Sequence, residues 1–179
     1  MTPSMSRQLA RRQVALIRGI NVGKAKRVPM AGLREALGEL GFENVRTLLN
    51  SGNVVFDAAG SPRRNAALVE DAIAAHFDVS ARVLGLAARE LATVVAENPL
   101  GELAGDPSRL MVVFWLDPQV ADAVAPLVTR DWGPERLAVG SHAAYVWCPE
   151  GILASAAHEA VSAAAGSRAT VRNWRTVLK

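Results

Sequence analysis

The first residues in this chain whose types and spacing could do chemistry are Gly19-Ile-Asn-Val-Gly23-Lys24. Two glycines and a lysine ahead of a helix start have the look of a phosphate-binding loop. A Walker A loop needs G-x-x-x-x-G-K-[ST], in which the glycines let backbone amides surround phosphate and the hydroxyl binds magnesium. Here the spacing is one residue short, and Ala25 stands where the hydroxyl should be. Kinase and ATPase chemistry are therefore not expected. A looser anion site is, because Gly23, the cations Lys24, Lys26 and Arg27, and the N-terminus of the next helix all favour negative charge. A merely solvated basic loop would have the same composition, so both readings stay open.

Other reactive residue types are scattered. His76, His142 and His158 share no metal-ligand spacing, and His158-Glu159-Ala160-Val161-Ser162 lacks the second histidine of H-E-x-x-H. No metal and no cofactor are expected. Cys148 sits in an apolar stretch and reads as inert packing, since a nucleophilic thiol needs an electropositive, accessible setting. No serine lies in G-x-S-x-G, and Glu70-Asp71 reads as a solvated helix face. His158 is expected on a helix surface.

The elements that must position these residues follow from periodicity. Gln13–Arg18 is an apolar strand, buried on both faces. Pro29 starts a helix that carries Met30, Leu33, Leu37 and Leu40 to Gly41. Asn44–Leu49 and Asn53–Asp57 are strands around the tight turn Asn50-Ser51-Gly52. A helix runs from Ser61-Pro62 to Phe77, and Val79–Leu86 is a fourth strand. The order β-α-β-β-α-β is that of a ferredoxin-like sandwich, with an antiparallel sheet and helices packed on one face.

After a helix at Ala88–Glu97, the pattern repeats in element order. Arg109–Leu116 is a strand, Pro118–Val128 a helix, Glu135–Val139 and Ala143–Cys148 a hairpin, and Gly151–Ala165 a helix. A short strand follows Ser167, then a helical turn at Trp174–Val177. The expectation is an α+β chain of two tandem ferredoxin-like subdomains. Its segments are a tail over 1–12, a first subdomain with linking helix over 13–97, a loop over 98–108 and a degenerate second subdomain over 109–179.

This fold adds what periodicity alone does not. In such a unit the first two strands end at the same edge of the sheet, so the Gly19–Val28 loop meets the Asn50–Asn53 turn. Arg18, Asn21, Lys24, Asn50, Ser51 and Asn53 would then line one concavity, rich in donors and poor in acids. Backbone geometry alone would also account for Gly52 and Asn53. A second unusual place is Arg168-Ala-Thr-Val-Arg-Asn-Trp-Arg175. There Arg172, Asn173 and Trp174 could form a cation–π and anion-binding surface, or Trp174 could plug the core.

Several stretches together resemble a known bacterial family. These are Leu16-Ile-Arg-Gly-Ile-Asn-Val-Gly-Lys24, Val28-Pro-Met30, Arg46-Thr47, Ser51-Gly-Asn-Val-Val-Phe56, Asn98-Pro99 and Thr170-Val-Arg-Asn-Trp-Arg-Thr-Val177. In that order they are similar to domain of unknown function 1697. The resemblance covers Val14 to Lys179 and implies a two-subdomain ferredoxin-like architecture, but no activity. The chain departs from the family pattern at Lys24, where a glycine is frequent. It departs again at Leu48-Leu49-Asn50, at Val171 and Arg175, and at Ala156, where a lysine usually follows the serine.

Composition bounds the function classes. Half the residues are hydrophobic and 21% are charged, an ordinary globular balance. No apolar run approaches the roughly 18 residues of a membrane span, and a single cysteine excludes an internal disulfide. A cytoplasmic protein with no membrane partner is expected. The net charge of +3 permits an anionic partner without requiring one. Nine aromatics, with one phenylalanine in Asn53–Asp57, make base stacking of the RNA-recognition type unpersuasive. The leading expectation is a binding module for an anionic, phosphate-bearing small molecule or nucleic acid, at Arg18, Asn21, Gly23, Lys24, Lys26, Arg27, Asn50, Ser51, Asn53, Arg172, Asn173 and Trp174. The alternatives are an enzyme on a small anionic metabolite, lacking an identified general base, and a structural or oligomerisation module.

Overall fold

In the computed structural model, residues 11–22, 27–102 and 105–179 are described. Strand β1 (Arg12–Arg18) buries Val14 to Ile17, as its apolar run requires, and also Gln13, whose carboxamide donates to the Gly60 carbonyl and accepts from Asn65. Helix α1 (Met30–Glu39) follows Pro29, whose fixed φ of −63° suits helix entry, and buries Leu33, Ala36 and Leu37 on one stripe. Strands β2 (Glu43–Leu48) and β3 (Asn53–Asp57) form a hairpin. Helix α2 (Pro62–Phe77) opens with Pro62 in its first turn and the Ser61 hydroxyl accepting from the Arg64 amide. Strand β4 (Arg82–Ala87) completes the first sheet, and α3 (Ala88–Ala96) follows at once.

The second half contains β5 (Leu110–Trp115), α4 (Gln119–Val124), β6 (Arg136–Val139), β7 (Ala143–Trp147), α5 (Ala156–Ala165), β8 (Ala169–Asn173) and the short α6 (Trp174–Val177). Among the described residues the strands form two four-stranded sheets. Their orders are β2-β3-β1-β4 and β6-β7-β5-β8, antiparallel at every pairing. The α+β class expected from the sequence is thus present. The chain divides into two compact units between Leu91 and Ala92.

Each unit has its own core. In the first, Ala15 and Ile17 of β1, Val54 and Phe56 of β3 and Val83 of β4 pack with Leu33 and Leu37 of α1 and Val69 and Ile73 of α2. In the second, Met111, Val113 and Trp115 of β5 pack with Val120 and Val124 of α4 and with Ala157, Val161 and Ala165 of α5. The alternate residues are buried too, Val14 and Leu16 in one sheet, Val112, Phe114 and Tyr145 in the other. The Tyr145 hydroxyl donates to the Val94 carbonyl at 2.7 Å, bringing the end of α3 against the second sheet.

Three boundaries differ from the sequence expectation, each for a local reason. Pairing of β4 with β1 starts at Arg82 opposite Arg18, so Val79–Ala81 lies outside the strand. The expected helix over Gly151–Ala165 is broken. A 3-10 turn over Ile152–Ala154 ends at Ser155, whose extended backbone (φ −85°, ψ 112°) makes it the N-cap of α5. The expected helix over Pro118–Val128 shortens to Gln119–Val124, then tightens into a 3-10 turn over Ala125–Leu127 at Pro126.

Candidate functional site

The strand-end edge of the first unit is held by one side chain. Asn21 Nδ2 donates to the Val28 carbonyl at 2.9 Å and to the Asn50 carbonyl at 2.9 Å, while the Val28 amide donates to Asn21 Oδ1 at 2.9 Å. One amide therefore clips the ends of the loop together and ties them to the β2–β3 turn. Asparagine suits the task because it adopts left-handed backbone more readily than other residues, and Asn21 has φ 56°. The turn is fixed to β1 from the other side, where the Ile17 amide donates to the Gly52 carbonyl at 2.8 Å.

Several residues singled out from sequence are brought together here. Arg18 ends β1, Arg27 precedes the clipped Val28, and Asn50 and Ser51 occupy the turn, all with exposed side chains. Asn53 is buried instead. Its Nδ2 donates to the Leu48 carbonyl at 3.0 Å and to Ser51 Oγ at 3.0 Å, so it shapes the hairpin from inside. Asn21 is likewise engaged with backbone. Gly23, Lys24 and Lys26 lie outside the described residues. Further cations stand nearby along the same unit: Arg82 is the register partner of Arg18, Arg46 is exposed on β2, and Arg34 donates to Thr47 Oγ1 at 2.8 Å.

Arg172, Asn173 and Trp174 belong to the second unit. Asn173 Oδ1 accepts from the Thr176 amide at 2.9 Å and from its hydroxyl at 2.7 Å, capping α6. Trp174 is buried. Arg172 donates to Thr170 Oγ1 and the Val171 carbonyl, and burial lowers its guanidinium to about 10. Arg175 meets Asp106 at 3.0 Å. In this motif the asparagine and tryptophan make helix cap and core.

Two carboxylate centres were not foreseen from the sequence. Asp57, buried at the end of β3, takes a two-pronged guanidinium contact from Arg12 at 2.8 and 3.0 Å and a third bond from Asn44 Nδ2 at 2.8 Å. The Arg12 contact holds the carboxyl below its ordinary range. Glu135 lies at the N-terminus of α5. It accepts from the amides of Ala156 and Ala157, each at 3.0 Å, and from the Ser155 hydroxyl at 2.5 Å. The place where that helix would attract an anion is thus filled by the chain's own carboxylate. Ser155 before a helix was the readable half of this signal, but its partner twenty residues upstream was not.

Cys148 beside this cap is fully buried, and burial pushes its thiol up. His158 sits half-buried on α5 rather than on its open surface, and burial lowers its ring below the usual histidine range. Among the described residues no three of His, Cys, Asp and Glu group as metal ligands.

Two comparisons with known proteins find relatives. A family model described as a protein of unknown function (DUF1697) matches residues 10–145. Among solved structures, the chain is similar to the conserved bacterial protein SP0830 from Streptococcus pneumoniae. That match has 26% sequence identity and a TM-score of 0.76, and covers 93% of this chain and 94% of that one. No curated protein matches.

Proposed function

The chain belongs to the DUF1697 family of proteins of unknown function, and from that premise we propose that it is a cytoplasmic binding module for an anionic, phosphate-bearing ligand. The scaffold on this reading is a tandem pair of ferredoxin-like βαββαβ subdomains. Sheet orders β2-β3-β1-β4 and β6-β7-β5-β8, each built from two β–helix–β crossovers around a hairpin, support that assignment. The observation that carries the functional reading is the Asn21 clip. It draws the loop after β1 and the β2–β3 turn into one edge, beside the exposed Arg18 and Arg27.

Arginine suits this role because its planar fork matches phosphate oxygens in pairs and its charge persists at any physiological pH. A nucleic acid and a small phosphorylated molecule share that chemistry. Titration of labelled single-stranded RNA and DNA and of pyrophosphate, at about 50 and 200 mM salt, tests it. Binding at low salt should fall steeply at high salt. The double substitution Arg18→Ala/Arg27→Ala should weaken it roughly tenfold or more. Absence of binding to all three probes at low salt, with the chain folded, sinks the reading. Asn21→Ala should weaken binding without removing a charge, because the clip positions the cations rather than supplying one.

A further inference from the structure

Two aliphatic side chains stand out of the same edge. Val22 is 72% exposed and Leu49 is 49% exposed. They flank the Asn21–Asn50 hydrogen bond, Val22 directly after one partner and Leu49 directly before the other. Leu49 itself has left-handed backbone at φ 59°, and Val22 directly follows the left-handed Asn21 at φ 56°. Asparagine takes that conformation readily, whereas leucine does so against its Cβ sterics. A leucine held in an unfavourable conformation with half its surface in water is an outlier, and backbone outliers cluster at active sites, ligand clamps and switch regions.

The surroundings of these tips say what they fit. Arg18 and Arg27 are exposed beside them, and Arg82 neighbours Arg18 across the sheet. The Glu70 carboxylate at this edge is engaged by the Val83 amide at 2.7 Å and lies 3.8 Å from Arg82. A small soluble phosphate has no use for aliphatic tips. A single-stranded nucleic acid would be better served by aromatic faces on which bases stack. Aliphatic tips beside two exposed arginines match the headgroup layer of an anionic bilayer. There the cations meet lipid phosphates and the apolar ends reach the acyl boundary.

We infer that this edge of the first unit docks reversibly on anionic phospholipid surfaces, with Arg18 and Arg27 on the phosphates and Val22 and Leu49 entering the boundary below them. The inference rests on the cationic reading of the edge given above and names its ligand as a lipid phosphate. Among the described residues no helix is long and apolar enough to cross a membrane; the contact is peripheral. With two small tips it is weak, and it weakens further with salt.

Co-sedimentation of the full chain with vesicles tests it, using phosphatidylglycerol–phosphatidylcholine mixtures against phosphatidylcholine alone. The chain should sediment with the anionic vesicles at low salt and stay in solution with the neutral ones. Val22→Ser/Leu49→Asn removes the tips without removing a charge, and asparagine accepts the left-handed backbone, so the fold should be kept. This variant should lose about fivefold in vesicle partition while pyrophosphate and RNA binding stay unchanged. Arg18→Ala/Arg27→Ala should lose both. Failure to sediment with anionic vesicles, or an unchanged partition in the tip variant, overturns the inference. If the soluble probes still bind, the anion-binding reading survives that failure. If labelled RNA binds and vesicles do not, the edge is a nucleic-acid surface; if no anionic probe binds, both fall together.

Discussion

The two units share a strand order and differ at the strand ends. After β1 comes a long loop with arginine at either end, clipped by Asn21. After β5, at the matching place, Leu116-Asp117-Pro118 leads directly into α4, with Asp117 Oδ1 accepting from the Gln119 amide at 3.0 Å. An acid caps that connection, and another carboxylate, Glu135, fills the N-terminus of α5. The same topology thus ends in exposed arginines in one unit and in carboxylates that cap helix starts in the other. Element order sets where a site can be, and loop chemistry decides whether one is there. Backbone strain divides the same way. Every non-glycine residue with positive φ among those described (Asn21, Asn44, Leu49 and Asp78) lies in the first unit.

The sharpest way to break this comparison is at the hairpin turns. Gly52 has φ 76°, and a Cβ there would lie 2.9 Å from both the Cβ and the backbone oxygen of Ile17. Nothing at that contact can yield without moving β1. Gly52→Ala should cost about 3 kcal/mol in urea unfolding, from left-handed strain and backbone clash together. In the second unit a Cβ on Gly140 would meet Glu97 Oε2 at 2.7 Å, a carboxylate held by Ser141, and the Tyr145 ring edge and hydroxyl at 3.2 Å, all of them side-chain atoms. Gly140→Ala should therefore cost less than Gly52→Ala, because it meets no backbone atom and its backbone is not left-handed. Equal losses would show that the first turn is no more tightly specified than the second.

Next in size is the buried carboxylate of the first unit. Asp57→Asn removes the charge that Arg12 grips and should cost about 2 kcal/mol at neutral pH. The Asp57 carboxyl lies below its ordinary range, so its contribution is present above that range and is lost as pH falls through the lowered value. The deficit of Asp57→Asn should accordingly shrink in acid. A deficit independent of pH would mean that shape at Asp57 matters and charge does not.

Much of the scaffold was legible from periodicity, because β1, α1 and α2 carry clean apolar patterns between strong punctuation at Pro29, Ser61 and Pro62. The meeting of the β1 loop with the β2–β3 turn was legible too, as it follows from strands that end together. The roles of individual polar residues were not. Asn53 reads as a turn residue, yet its side chain points inward to Leu48 and Ser51. Asn173 sits in an arginine-rich motif that invites a ligand, yet its carboxamide oxygen caps α6. Which hydrogen bond a polar side chain makes depends on partners distant in sequence, as with Arg12 and Asp57 forty-five residues apart. Nor does an exposed apolar residue announce itself by type: Leu48 and Leu49 are one letter, and only the left-handed backbone turns the second outward.

A smaller effect separates the far faces of the sheets. Val14 faces Val55 in the first, and Val112 faces Tyr145 in the second, where the hydroxyl is bonded to Val94. Burial, with the charge of Glu97 adding to it, pushes the Tyr145 hydroxyl up to about 12. The neutral form is thus the native one. Stability should hold up to about pH 10, where an unfolded tyrosine ionises, and fall as pH rises from there toward the folded value. Tyr145 is the chain's single tyrosine, so ultraviolet titration reads it alone. Tyrosinate should appear near pH 12 in the folded chain and near 10 in denaturant. Tyr145→Phe should cost about 1 kcal/mol at neutral pH. Tyrosinate at pH 10 in the folded chain would mean that this face is wet.

The smallest effect runs the other way in sign. Leu49→Asn places at φ 59° a residue that tolerates it and removes an aliphatic side chain from water, so the chain should gain about 0.5 kcal/mol. The gain matters less than its pairing with function. A turn optimised for stability alone would have little reason to hold a leucine here, whereas one shaped to touch something apolar would. If Leu49→Asn stabilises the fold and weakens vesicle partition together, strain at this edge is tied to contact, and the difference between the two units is one of use. If it instead destabilises by more than about 1 kcal/mol, the leucine side chain supports the hairpin. The strain would then be an ordinary cost of the turn, and the two strand ends would differ in charge alone.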